Sequence, residues 1–97
     1  DLIGAYRPDM REVDDAALNR ARVFVDSRAT TIRHIGELKI PIENGAFSAK
    51  SIQGELYDLV AKTAKRQSDG EITLFKNGGG AHLDLMTSKY ILQVWKK

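Results

Sequence analysis

The stretch "EITLFKNGGGAHLDLM" (Glu71–Met86) decides how this chain is read. Ile72–Lys76 is β-branched and aromatic, the composition of a strand. Gly78, Gly79 and Gly80 follow it. From about Ala81 to the end, Leu83, Met86, Tyr90 and Val94 recur at helical spacing, and Leu85, Leu92 and Trp95 widen the stripe. A helix N-terminus reached through glycines offers free N–H groups, and backbone without Cβ lets another group approach closely. The triplet meets only the first part of G-x-G-x-x-G, because its sixth position is Leu83, and no second strand with an acidic residue follows before Lys97. It is therefore not the first turn of a nucleotide-binding unit. Two readings stay open: close packing of helix on strand, or approach of a ligand to the backbone.

Upstream, "RVFVDS" (Arg22–Ser27) reads as a buried strand and "DLIGAY" (Asp1–Tyr6) as a short apolar one that lacks a lead-in, as a truncated chain would. Pro8 makes Arg7–Val13 a loop. Asp14 is placed to cap a helix of about two turns, with Val13 and Leu18 at the spacing of a hydrophobic staple. Asp26 or Ser27 is placed to cap the next helix, where Ala29, Ile32 and Ile35 share a face before Gly36 ends it. Leu38–Phe47 reads as irregular, broken by Pro41 and Asn44-Gly45. Ser48 or Ser51 opens a further helix on which Ile52, Leu56, Leu59 and Val60 recur, and Lys65–Glu71 is a polar turn. Asp84 and the closing Lys96 and Lys97 suit the two ends of the last helix dipole. Strands alternating with helices imply an α/β fold: about three parallel strands with helices on both faces, half of a doubly wound domain. No repeat or linker divides the 97 residues, so a single domain is expected over 1–97.

Composition removes several function classes. Fifteen basic and thirteen acidic residues leave a net charge of +2, with the signs mixed along the chain and no basic–aromatic stripe, which argues against nucleic-acid binding. No apolar run reaches the roughly 18 residues of a membrane span, and no signal-peptide pattern opens the chain; a cytoplasmic protein is expected. The absence of cysteine excludes disulfides and thiolate catalysis. His34 and His82 have no companion ligands at metal-site spacing, so no metal is expected. Ser27 has no partners that would make a triad, and Asp14-Asp15 is explained by capping. No catalytic residue is assigned.

Three segments in order and spacing, "GAYRPDMREVDD", "ARVFVDSRA" and "EITLFKNGGGAHLDLMT", resemble the last third or so of the ornithine cyclodeaminase/mu-crystallin family. The resemblance covers essentially the whole chain. It implies the second half of a Rossmann domain plus a closing helix, from two-domain proteins that use NAD(H) or NADP(H) as cyclodeaminases, alanine dehydrogenases or ketimine reductases. The pyrophosphate turn, the ribose selector and the substrate-binding Lys and Arg of that family lie in regions absent here. Hydride transfer needs both cofactor and substrate held in place, so the isolated chain is expected to be inactive and to bind NAD or NADP weakly or not at all.

By the same resemblance, the loop after the "GA" pair lies beside the nicotinamide and substrate, which maps to Tyr6 and Arg7. In the cyclodeaminases an Asp that does proton chemistry stands in the place of Tyr6. A phenol, with an ordinary pKa of about 10, is a poor substitute for that base, so ornithine cyclisation is in doubt. The family's Lys-Ser segment maps to Lys76 and Asn77, Asn77 to hydrogen-bond a carboxamide and Gly78 and Gly79 to flank the ring. For Tyr6 the competing reading is an aromatic closing over the core; for Arg7 it is a salt bridge to Asp9. A half sheet exposes a strand edge and apolar helix faces, from which a homo-oligomer, a dimer, is expected. The alternative function is a stand-alone small oligomeric α/β protein with a binding or structural role.

Overall fold

In the computed structural model, which describes residues 1–96, Arg22–Val25 (β1) is the central strand of a three-stranded parallel sheet. On one side Ile52–Glu55 (β2) pairs with it, Val23 opposite Ile52 and Val25 opposite Glu55, with one irregularity after Val23. On the other side Thr73–Lys76 (β3) runs in unbroken register, Val23 opposite Leu74 and Val25 opposite Lys76. All three strands therefore end side by side, and their carboxyl ends form one rim. This is the open parallel α/β sheet that the alternation of elements implies.

Side chains alternate across the sheet. Val23, Val25 and Leu74 pack with Ile52 and Phe47, and with Leu18 from helix α1 (Asp15–Arg20). Leu38 from a helix over Gly36–Glu43 completes this core. On the opposite face Phe24 and Phe75 line a small cavity together with Leu59, which a helix over Leu56–Val60 supplies. The Asp14 carboxylate accepts from the Ala17 N–H at 2.9 Å, the cap expected there.

Four elements differ from the sequence reading. The segment Asp1–Tyr6 is not a strand but a single parallel bridge, Leu2 opposite Lys76. The Leu2 N–H donates to Phe75 O and the Asn77 N–H to Leu2 O, whereas the next amides, of Gly4 and Ala5, are taken by the Glu12 carboxylate instead of a ladder. Second, the helix after Ser27 is one turn, α2 (Arg28–Thr31), and Gly36 opens α3 (Gly36–Glu43) rather than ending a helix. Third, α3 contains Pro41, which was expected to break it. Burial of Leu38 and Pro41 outweighs the one helical bond that Pro41 cannot donate; the helix ends at Asn44-Gly45, where Gly45 takes φ +81°.

Fourth, Ile52 belongs to β2 and not to a helix. Ser48 caps only a 3-10 turn (Ala49–Ser51), and α4 (Leu56–Val60) begins after the strand, with Glu55 and Asp58 forming a capping box. Main-chain pairing with β1 and burial of Ile52 override the helical spacing of the apolar residues. The last helix, α5 (Ala81–Trp95), spans the expected residues, with Asp84 in its first turn and Lys96 at its C-cap; Lys97 lies outside the described residues. None of α5 is buried: Leu85, Met86, Tyr90, Leu92, Val94 and Trp95 are all exposed. Among the described residues no helix is long and apolar enough to cross a membrane.

At the entry to β3 the Glu71 carboxylate accepts from the Gln67 N–H at 2.9 Å and from the Arg22 guanidinium at 3.0 Å. The Gln67 amide first, and then Arg22 with support from Arg66, hold its pKa below the ordinary carboxylate range against an opposing effect of desolvation. A carboxylate depressed in the folded state stabilises fully above its unfolded value, and that contribution is lost as pH falls through the folded value. Urea unfolding across the acidic range should show this loss in the native protein and a flatter profile in Glu71→Gln; identical profiles would remove Glu71 from the acid response.

Candidate functional site

The rim is closed by main-chain bonds that continue one residue beyond the strands. The Asp26 N–H donates to Lys76 O at 3.2 Å, and the Leu56 N–H to Asp26 O at 3.3 Å. Asp26 is 1% exposed. Its Oδ1 accepts from the Ser27 N–H at 2.8 Å and, at 3.4 Å, from the Thr30 hydroxyl, while Oδ2 has no hydrogen-bond partner. Ser27 occupies the N-cap position of α2 but its side chain makes no cap bond, and the Arg28 N–H donates to Glu55 Oε2 at 3.4 Å.

The three glycines have three different causes. A Cβ on Gly78 would stand 2.7 Å from Thr30 Oγ1 and 3.0 Å from Asp26 Oδ1, so close packing demands glycine there. Gly79 has open space around it but takes φ +72°, a backbone conformation that favours glycine. Its N–H donates to Asn77 Oδ1 at 2.8 Å, which fixes the turn out of β3. A Cβ on Gly80 would meet the His82 ring. Beyond the corner, His82 lines an apolar cavity of about 260 Å³ together with Asp26, Leu56, Val60 and Met86. Among the described residues no group of His, Asp or Glu is placed to hold a metal ion.

The bridge from Leu2 to Lys76 ties the segment that leads to Tyr6 and Arg7 to the end of β3, from which Asn77–Gly79 follow. Tyr6 is 67% exposed, and the Arg7 guanidinium lies 5.9 Å from its ring centroid while pairing with Asp9 at 3.4 Å. Lys76 differs from the other five residues. It is wholly buried, its ammonium donating to Leu2 O at 3.3 Å and lying 3.9 Å from Glu12 Oε1. The Asn77 side chain is engaged through its oxygen, Gly78 is packed against Thr30 and Asp26, and Gly79 has open space around it.

Two acidic residues that sequence reasoning did not single out hold this arrangement. Glu12 Oε1 accepts from the Gly4 N–H at 2.6 Å and from the Ala5 N–H at 3.0 Å. Glu37, with no exposed surface, accepts from the Glu12 and Val13 amides, both at 2.9 Å through Oε2. Their partners are main-chain groups 7, 8 and about 25 positions away, a relation with no local sequence signature.

The family model of ornithine cyclodeaminase/mu-crystallin proteins matches residues 1–97. The chain belongs to that family. It is 63% identical over 95 residues to the Δ1-pyrroline-2-carboxylate reductase of Paracoccus denitrificans, a match that takes 97% of this chain and 30% of the relative. The structure of Thermococcus litoralis Δ1-pyrroline-2-carboxylate reductase in complex with NADH and L-proline superposes with a TM-score of 0.76 at 34% identity, over 84% of this chain and 26% of that one. An archaeal alanine dehydrogenase dimer with bound NAD gives 0.78 at 30% identity, over 90% and 27%. The chain thus aligns with the C-terminal part of its relatives and spans about 30% of the length of the curated ones. NAD(P) is the cofactor of the parent family, and the sheet is part of a Rossmann-like domain.

The packing cause assigned to Gly78 is testable by a double substitution. Gly78→Ala should destabilise by about 1–3 kcal/mol, the usual cost of overpacking, and Thr30→Ala in the same chain should recover part of that loss. Additive losses in chemical denaturation would show that the two positions do not meet.

Proposed function

We propose that this chain is the cofactor-facing rim of an NAD(P)-dependent imine reductase of the pyrroline-2-carboxylate reductase kind, and that by itself it is not a catalyst. One observation supports the reading: the Leu2–Lys76 bridge ties the segment that leads to Tyr6 and Arg7 to the end of β3, from which the Asn77–Gly79 corner leaves on the carboxyl rim, where open α/β sheets take their ligands. The identity to a curated reductase over nearly the whole chain supports the choice of reaction.

The residues present fit the reactive end of a dinucleotide. Gly79, with open space around it, lets a flat ring approach the main chain, and the Asn77 amide nitrogen is the donor left for a carboxamide oxygen once its own oxygen holds Gly79. When bound there, a reduced nicotinamide would supply the hydride that reduction of an imine carbon needs. Tyr6 offers a phenol where cyclodeamination calls for a carboxylate base, which favours reduction over ornithine cyclisation. Arg7, exposed and paired with Asp9 at the surface, is placed to exchange that partner for the carboxylate of an imino acid. Lys76 contributes from beneath, through Leu2 and Glu12, rather than by contact. The sequence has no complete G-x-G-x-x-G to grip the pyrophosphate, so the affinity of a whole site is not assembled.

A second reading, that the chain acts by itself as a small oligomeric protein, is favoured by the uncovered apolar stripe of α5. In that reading two copies bury the stripe against each other. A cytoplasmic location accompanies either reading.

Calorimetric titration of the chain with NADH and with NADPH should give no saturable binding; tight binding of either would overturn the assignment of the missing grip. A fusion that sets this chain into the Paracoccus denitrificans reductase, in place of the stretch it matches, should reduce Δ1-pyrroline-2-carboxylate with a reduced nicotinamide cofactor. No reduction by a folded fusion would count against the reductase reading. Light scattering of the chain should show a dimer that Tyr90→Lys dissociates; a monomer at all concentrations would remove the self-association.

A further inference from the structure

We propose that Glu12 is a positioning residue for this site: its carboxylate gathers the Gly4 and Ala5 amides and so sets where Tyr6 and Arg7 stand. The inference rests on the reading of the rim as a cofactor and substrate site. It begins at the end of the sheet. Leu2 pairs with the end of β3 through its N–H to Phe75 O and its carbonyl from the Asn77 N–H, and β3 stops at Lys76, so a strand continuing from Leu2 would have no ladder partner there. The chain leaves the ladder, and the two amides before Tyr6 converge on one carboxylate oxygen, at 2.6 and 3.0 Å. Charge-assisted bonds of this kind are roughly twice as strong as neutral ones. A Cβ on Gly4 would lie 2.9 Å from the Glu12 carboxyl carbon, so glycine at position 4 is what allows the contact.

Glu12 is itself held. The buried Glu37 carboxylate on α3 accepts from the Glu12 and Val13 amides, and the ammonium of Lys76 lies 3.9 Å from Glu12 Oε1. The outer half of the loop has its own support: the Gly36 N–H donates to Arg7 O at 2.9 Å, and a Cβ on Gly36 would collide with the Pro8 and Met10 carbonyls. The main chain from Gly4 to Val13 is therefore pinned at both ends and in the middle. Between the pins Tyr6 and Arg7 keep their side chains outward and exposed. Catalytic groups presented on loops depend on such rigid support, because a displacement of about 1 Å can cost about 100-fold in rate.

Two measurements test the assignment. In the fusion described above, Glu12→Gln keeps an acceptor oxygen but removes the charge; it should lower kcat by about 10-fold or more while the KM for the imino acid changes by less than about 3-fold, and Glu12→Asp should recover part of the loss. In the 97-residue chain, Glu12→Ala and Gly4→Ala should each shift and deprotect the backbone amides of residues 4–7 and leave those of Leu18 and Val25 unchanged. Unaltered amides at Tyr6 and Arg7 in both variants, or an unaltered kcat in Glu12→Gln, would overturn the proposal. Loss of the Leu18 and Val25 signals would overturn it also, by making Glu12 a residue of the whole fold. If the unsubstituted fusion reduces no imine, the functional reading falls, and the amide data alone decide whether Glu12 places the loop.

Discussion

The register of β1 against both of its neighbours fixes where every other part of the molecule stands. Val25 lies opposite Lys76 on one side and Glu55 on the other, so three chain segments leave the sheet at the same height. The bonds from Asp26 to Lys76 O and from Leu56 to Asp26 O extend that alignment one residue past the strands. A slip of one residue in either pair would turn Val23 and Val25 away from Leu18, Leu38 and Leu74, and the core would be lost with the rim. The position of the glycine corner is thus a consequence of apolar packing elsewhere in the sheet.

The charged groups within this structure act as fasteners for backbone rather than as core stabilisers. Glu37 and Lys76 have no exposed surface, and Asp26 almost none, yet each is bonded to main-chain groups of a segment that leaves the sheet. A buried charge costs several kcal/mol in desolvation, and pairing offsets this cost only when the geometry is good. Hydrophobic residues would fill the same volume at less cost. What they would not do is hold Gly4–Val13 and the turn after Lys76 in fixed conformations without ladder partners. Asp26 Oδ2, still unpartnered, is the exception to this rule of satisfied polar groups.

The elements legible in the sequence were those whose local pattern and tertiary role agree. β1 and β3 are β-branched and aromatic, Asp14 caps as its position implies, and α5 has helical periodicity over its whole length. β2 was illegible because "IQGE" carries one large apolar residue and a glycine, and Ile52 continues the helical spacing of Leu56, Leu59 and Val60. Only the partner strand reveals it. Pro41 misled for the opposite reason: a strong local breaker is tolerated where burial of α3 outweighs it. Of the proposed site, the glycine corner and the Tyr6–Arg7 loop are assigned through the family resemblance. Glu12 and Glu37 were not legible, since a side chain that binds distant amides leaves no periodic trace.

Two deficits of the chain are physically independent. Leu85, Met86, Tyr90, Ile91, Leu92, Val94 and Trp95 are all more than half exposed. Burying each fully would contribute about 1.5–3 kcal/mol, a sum comparable with the roughly 5–15 kcal/mol that keeps an ordinary domain folded. Any apolar surface of suitable shape can supply that cover, whether from the rest of a family-length chain or from a second copy. Cofactor grip is different in kind, because it requires main-chain amides aimed at a pyrophosphate from one particular glycine turn. Self-association through α5 would therefore repair stability and leave the nicotinamide end of the site without its anchor. In the proposed reading stability and activity are separable, because any apolar surface can cover α5, whereas the anchor for the other end of the ligand has to come from a G-x-G-x-x-G turn that these 97 residues do not contain.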